Sequence, residues 1–180
     1  MIQLERINDE VFVAAMPIVA LGDEETQFVK QQATSSPRRR ARICTHQANT
    51  DALHEMLIAI SAESYIHPHK HISKSESFHV VEGLVDVIIF DDAGEITNVV
   101  ELGAHGSGRS YYYRLSSSKF HTLIIRSELV VLHEVTNGPF DKTQTILAPF
   151  APPEEASEAA KNYIRHISNQ AEQFNRRLAV

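Results

Sequence analysis

The sequence predicts a mostly β protein, an antiparallel barrel or sandwich with a short N-terminal helix and a C-terminal amphipathic helix. Between residues 55 and 147, short segments rich in β-branched and aromatic residues alternate with turn residues such as Glu82-Gly83. Many short strands at this spacing are typical of antiparallel barrels and sandwiches. After Pro152-Pro153 the apolar residues recur instead at helical spacing, which indicates a terminal helix.

The N-terminal segment, residues 1–37, precedes the predicted barrel. A short strand is expected near Val11–Ala15 and a helix around Glu24–Gln32. Acidic residues in the first turn of this helix suit the helix dipole. A further strand, Ala41–His46, follows after a polar stretch and a basic run.

The central segment, residues 38–151, is expected to form the barrel. The turn Asp92-Ala93-Gly94 between two apolar strands predicts a β-hairpin. Seven segments have the composition of short strands: Met56–Ile60, Ser77–Val81, Leu84–Phe90, Ile96–Leu102, Tyr111–Leu115, Phe120–Ile125 and Val130–Val135.

The C-terminal segment, residues 152–180, carries one apolar stripe that must be buried. It is expected to pack either across its own barrel or against a second subunit. The stripe consists of Ala160, Ile164, Ile167, Ala171, Phe174 and Leu178.

Composition limits the classes of protein to which the chain can belong. Its 180 residues suit one domain, and the net charge of −6 disfavours binding to nucleic acid. The single cysteine, Cys44, predicts a reducing compartment. We expect no signal peptide, because Glu, Arg and Asp interrupt the apolar residues of the N-terminal stretch. We expect no membrane span either, because no apolar run reaches about 20 residues. The expected location is the cytoplasm.

Three histidines and a glutamate form the most informative pattern. His69 and His71 are two residues apart, so on an extended strand both imidazoles project from the same face. Glu76 begins an otherwise apolar strand face, where a carboxylate without a compensating partner is costly. His121 begins a similar face on a later strand. These four residues are therefore expected to hold one divalent transition-metal ion.

The donor set narrows the choice of ion. Three neutral imidazoles and one carboxylate suit Fe, Mn, Ni, Co or Zn, and four protein ligands leave an octahedral ion open to substrate or water. A closed structural zinc site would be expected to contain cysteines. His67 shares the parity of His69 and is either a substitute ligand or part of the pocket rim.

The spacing of this pattern resembles the first motif of the cupin superfamily: Pro68-His69-x-His71, four residues, Glu76, six residues, Gly83. The second motif is degenerate, because Leu115-Ser-Ser-Ser-Lys-Phe-His121 lacks the usual Pro-x-Gly before its histidine. Segments from residue 38 to 151, such as Glu134-Val-Thr-Asn-Gly-Pro-Phe140, resemble the WbuC family of cupin-fold metalloproteins. The resemblance implies a cupin-type double-stranded β-helix (jelly-roll) barrel, a homodimer, and a place in bacterial surface-polysaccharide metabolism.

Further residues are candidates for contact with a substrate. Arg42 and His46 share one face of a strand. This face lies either at the pocket mouth or at a solvated edge of the sheet. Tyr112, with its two neighbouring tyrosines, either stacks on a sugar or packs in the barrel. Either Glu134 or its neighbour His133 points inward, and the family resemblance favours Glu134. The expected roles are catalytic for Glu134 and His46, and substrate-binding for Arg42, His67 and Tyr112.

The metal site and the resemblance lead to one main expectation about function. The chain would act on a small polar substrate, a sugar or sugar nucleotide, by metal-assisted isomerisation or epimerisation or by Fe(II)-dependent oxygenation. The alternative is a non-catalytic module that binds or senses a sugar through the metal. A third possibility is a barrel that binds no metal.

Overall fold

The computed structural model describes residues 2–14 and 16–178, with Leu178 described by its backbone only. Ala15, at the end of the first predicted strand, and residues 179 and 180 of the predicted C-terminal segment lie outside this part, as does Met1.

Within the described residues the chain forms twelve strands and two α-helices. The helices are α1 (Asp23–Ser35) and α2 (Ser157–Leu178), and a short 3-10 turn covers Lys142–Gln144. The strands are β1 (Leu4–Arg6), β2 (Val11–Ala14), β3 (Arg40–Cys44), β4 (Leu53–Ser61), β5 (His69–His71), β6 (Glu76–Glu82), β7 (Leu84–Phe90), β8 (Ile96–Gly103), β9 (Tyr112–Leu115), β10 (Phe120–Ile125), β11 (Leu129–Asn137) and β12 (Thr145–Leu147).

The strands form two sheets that face each other, which confirms the predicted fold class. The larger sheet has the order β1-β2-β3-β4-β11-β6-β9, and the smaller has the order β12-β5-β10-β7-β8. Every pairing is antiparallel except that of β2 with β3. The predicted β7–β8 hairpin is confirmed, and Gly94 in its turn has a φ of 91°, which favours glycine. Alternate side chains from both sheets fill one core between them.

Helix α1 covers part of the outer face of the larger sheet. Val29 and Ala33 are fully buried against Ile43, Leu57 and Ala59. The predicted N-terminal segment therefore joins the barrel directly, because its strands β1 and β2 extend the same sheet.

Helix α2 packs on the outer face of the smaller sheet. Its residues Ile167 and Ala171 are buried together with Ile88, Phe90 and Phe120. Of the two placements that the sequence left open, the structure shows the one across the chain's own barrel. Neither α-helix in the described part of the chain is long and apolar enough to cross a membrane.

Candidate metal centre

The four predicted ligands lie on three strands and on both sheets. His69 and His71 are on β5, and His121 on β10 is the register partner of His69. Glu76 is the first residue of β6, which belongs to the other sheet. Strand pairing and the two-residue spacing therefore direct these side chains to one end of the space between the sheets.

The ligand atoms of the four residues converge. One potential ligand atom from each residue lies within 4.8 Å of the others. The Nε2 atom of His71 lies 3.3 Å from Oε2 of Glu76, and the Nε2 atom of His121 lies 3.2 Å from Oε1 of the same carboxylate. The ring centroids of His69 and His121 are 4.6 Å apart.

Hydrogen bonds on the far side of each ring hold the imidazoles in place. The Nδ1 atoms of His69 and His121 donate to the backbone carbonyls of His67 and Lys119, at 2.9 and 3.0 Å. The Nδ1 atom of His71 is hydrogen-bonded to the hydroxyl of Thr145 on β12, at 3.1 Å. A carbonyl oxygen can only accept, so the bonds of His69 and His121 leave Nε2 of these two residues deprotonated when the ring is neutral, as metal ligation requires.

Burial and mutual charge perturb the pKa values of the cluster. Burial and the charge of His121 lower the pKa of His69 to about 4. Burial alone would lower the pKa of His121, but the negative charge of Glu76 outweighs it and raises that pKa. Burial would likewise raise the pKa of Glu76, yet the surrounding histidines, led by His121, lower it. The carboxylate is thus held ionised, as a metal ligand must be.

The residues present fit a metal ion. Oε1 of Glu76 and Nε2 of His121 are buried, and although they lie 3.2 Å apart, neither makes a hydrogen bond of acceptable geometry in the described part of the chain. Buried polar atoms without partners are costly, and a cation bound by both would remove that cost. The donor set, three imidazoles and one carboxylate, suits a borderline transition metal.

A second, half-buried carboxyl group faces the same interior as the cluster. Glu134 on β11 is the register partner of Phe78 and Met56, which belong to the core between the sheets, so its side chain faces inward. Burial and the charge of Glu76 raise the pKa of Glu134 to about 8. The neighbouring His133 lies on the outer face, 3.8 Å from Glu55. The structure thus decides between the two alternatives in favour of Glu134.

Arg42 and His46 are also on the inner face, but neither belongs to the cluster. Nη1 of Arg42 lies 3.8 Å from the sulfur of Met56, and its charge acts on Glu134. The Nδ1 atom of His46 is engaged with the backbone of Glu55, and its ring stacks on that of His54. Neither Arg42 nor His46 contributes an atom to the group of converging ligand atoms.

His67 contributes to the centre through its backbone. Its carbonyl accepts the Nδ1 hydrogen of His69, while its own Nε2 atom is hydrogen-bonded to the carbonyl of Ala148 at 3.1 Å. The ring is therefore directed away from the cluster, and His67 is not a substitute ligand.

The tyrosines of β9 need a correction. Tyr112 is 54% exposed on the outer face, so its ring does not face the metal centre as a substrate-binding ring would. Tyr113 is 7% exposed and faces inward instead. The register with β6 explains this, because Tyr113 lies two residues before Leu115, the register partner of Glu76, and so shares its inward face. Thr145, which supports His71, carried no comparable signal in the sequence.

Comparison with solved structures supports the fold. A mutant of salicylate 1,2-dioxygenase from Pseudoaminobacter salicylatoxidans, in complex with gentisate, matches with a TM-score of 0.52 and 16% identity over 72% of this chain and 37% of that chain. A Klebsiella pneumoniae protein with a double-stranded β-helix domain matches with a TM-score of 0.47 and 14% identity over 63% of this chain and 87% of that chain. The Schizosaccharomyces pombe Cnp3 cupin domain matches with a TM-score of 0.42 and 11% identity over 55% of this chain and 64% of that chain. The first of these likenesses agrees with the two-sheet β-barrel that the structure shows.

Sequence comparisons add little to this. One family model, described as a domain of unknown function (DUF6016), matches residues 21–102. No curated protein matches the chain. The β-barrel fold is shown by the structure itself, while membership of the WbuC family of cupin-fold proteins stays a prediction.

Proposed function

We propose that the chain binds one divalent transition-metal ion through His69, His71, Glu76 and His121 and acts there on a small polar substrate. The observation that carries the proposal is the convergence of three oriented imidazoles and one ionised carboxylate. Such an ion, when bound, supplies Lewis acidity that lowers the pKa of a coordinated hydroxyl group or water.

Glu134 is the group best placed to move a proton in this reaction. It is half-buried on the inner face, and in the metal-free protein burial and the charge of Glu76 raise its pKa to about 8. A carboxyl group with a pKa close to the working pH both gives and takes a proton readily. His46 is less suited, because its Nδ1 is engaged with the backbone of Glu55.

The substrate class and reaction type in the proposal come from the WbuC resemblance. We propose a sugar or sugar nucleotide of bacterial surface-polysaccharide metabolism, converted by isomerisation or epimerisation, or oxygenated if the ion is Fe(II). Arg42 on the inner face would pair with a phosphate or carboxylate of such a substrate.

Elemental analysis of the purified chain tests the metal site. We expect close to one equivalent of a transition metal in the wild type and little in Glu76→Ala and His71→Ala, because each variant removes a ligand. His79→Ala is the matched control, since His79 is an exposed histidine on β6. Unchanged metal content in both ligand variants would contradict the assignment.

A screen of sugars and sugar nucleotides by thermal shift, followed by product analysis, tests the substrate class. We expect a stabilising ligand to be turned over by the wild type, and Glu134→Gln to bind it without turnover. Binding without turnover by the metal-loaded wild type would indicate a non-catalytic sugar-binding or sensing module.

A further inference from the structure

Tyr113 is a buried residue beside the metal centre to which the proposed function gives no role. It lies on the inner face of β9 and is the register partner of Phe78. Its ring is stacked against that of Phe78, with centroids 5.7 Å apart and planes inclined by 22°. Because Phe78 is two residues after Glu76 on the same face of β6, this stacking holds the tyrosine ring one inward-facing position away from Glu76.

The hydroxyl group of Tyr113 has no hydrogen-bond partner in the described part of the chain, although it is buried. A buried tyrosine hydroxyl is normally hydrogen-bonded, because leaving its polar atom unpaired is costly. Two other buried atoms in this condition are Oε1 of Glu76 and Nε2 of His121, which belong to the metal centre. The same condition is found at Nε2 of His54 on β4 and at the hydroxyl of Tyr163 on α2. Tyr113 differs from these two because the charge of Glu76 acts on it.

A metal ion would satisfy the atoms of Glu76 and His121, but it would not satisfy the tyrosine proton. Burial and the charge of Glu76 raise the pKa of Tyr113, so its hydroxyl keeps that proton and is available as a donor. What the hydroxyl lacks is an acceptor atom, and a ligand bound at the metal can bring one.

We propose that Tyr113 is a specificity-determining residue whose hydroxyl donates a hydrogen bond to the exogenous ligand held at the metal. The inference depends on the proposed metal site and adds the chemistry of its ligand. The centre prefers molecules that present an oxygen or another acceptor atom toward β9, and an anionic acceptor gains most because charged hydrogen bonds are the stronger ones.

The test compares Tyr113→Phe with Tyr112→Phe, a matched control on the same strand whose ring is exposed. Each protein is loaded with Co(II), whose visible absorption reports on its coordination, and titrated with azide as an anionic acceptor. We expect Tyr113→Phe to bind Co(II) as tightly as the wild type but azide about tenfold or more weakly, as loss of a hydrogen bond to a charged acceptor predicts. Tyr112→Phe should match the wild type in both.

The melting temperature of the metal-free proteins separates this role from a structural one. Removal of an unpartnered hydroxyl should leave the melting temperature of Tyr113→Phe unchanged or raise it. A lower melting temperature with unchanged azide affinity would show a structural hydroxyl and overturn the inference. Unchanged azide affinity with intact Co(II) binding would overturn it while leaving the metal site standing. A wild type that binds no metal would overturn both.

Discussion

At the scale of single residues, the stacked pair of His46 and His54 affects how the free energy of unfolding depends on pH. The two rings lie 4.0 Å apart and nearly parallel. His54 is 4% exposed, and a Cβ at Gly138 would lie 2.7 Å from its Nε2 atom, so the neighbouring loop fits only without a side chain. Burial and the charge of His46 lower the pKa of His54, with a smaller lowering by Lys74, and they outweigh the backbone of Asn49 and the charge of Asp51, which raise it.

This pair predicts a loss of stability in acid. The folded-state pKa of His54 is below the value of about 6.5 in the unfolded chain, so below that pH the unfolded state binds more protons. The contribution of His54 to the free energy of unfolding should therefore fall as the pH falls from about 6.5 toward its folded pKa, by up to about 1.4 kcal/mol per pH unit. Urea unfolding at several pH values measures it.

His54→Gln should show a shallower pH dependence than the wild type, because the amide does not titrate. His79→Gln, which changes an exposed histidine, should follow the wild type. Equal slopes for the wild type and His54→Gln would refute the role given to this burial.

The predictability of the site differs among its residues. His69, His71 and Glu76 follow from local spacing and strand parity, which a sequence displays directly. Tyr113 could not be separated from Tyr112 in this way, since three consecutive tyrosines show no alternation of polarity. Only the register with β6 decides which ring faces inward, and that register is set by contacts distant in sequence.

At the scale of elements, α2 shows how a helix is anchored by both apolar and charged contacts. Asp86 is buried on the outer face of the smaller sheet and pairs with Arg126 at 2.6 Å. Arg126 also donates to the hydroxyl of Ser168 on α2, at 2.6 Å. An apolar stripe predicts that α2 is buried but not where. These polar contacts help to fix the position of α2. Because they join residues that are far apart in the sequence, the sequence alone left two placements of the helix open.

Truncation of one buried side chain tests the contribution of α2. Ile167→Ala should lower the free energy of unfolding by about 2–5 kcal/mol, because it leaves a cavity against the smaller sheet. The exposed control Arg165→Ala should change it by less than about 0.5 kcal/mol. Chemical denaturation gives both values, and equal effects would contradict the packing.

The shortest strands were the hardest elements to predict. β1 and β12 have three residues each, too few to show an alternating pattern. Both lie at sheet edges, where one side of the strand is unpaired and side chains are partly exposed. The ends of the interior strands β7, β10 and β11 were predicted to within two residues. A strand that is buried on one or both faces has a clear pattern of apolar residues in its sequence.

At the scale of the whole molecule, we propose that two copies of the chain associate as a homodimer, as the WbuC resemblance implies. Because α2 already buries its apolar stripe on its own barrel, its exposed face is not expected to form the interface. Arg165→Glu on that face should leave the sedimentation coefficient at the wild-type value. A shift to the monomer in this variant would place the interface on α2.

The four ligands connect two sheets that are otherwise joined by apolar packing and loops. His69, His71 and His121 come from the smaller sheet, and Glu76 comes from the larger. A bound ion would thus act as a non-covalent cross-link across the barrel, so that separating the sheets requires releasing the ion first. At a free metal concentration 100 times its Kd, this linkage stabilises the fold by about 2.7 kcal/mol. Amide exchange in β5 and β6 should accordingly slow on metal loading, far more than in the distant helix α1.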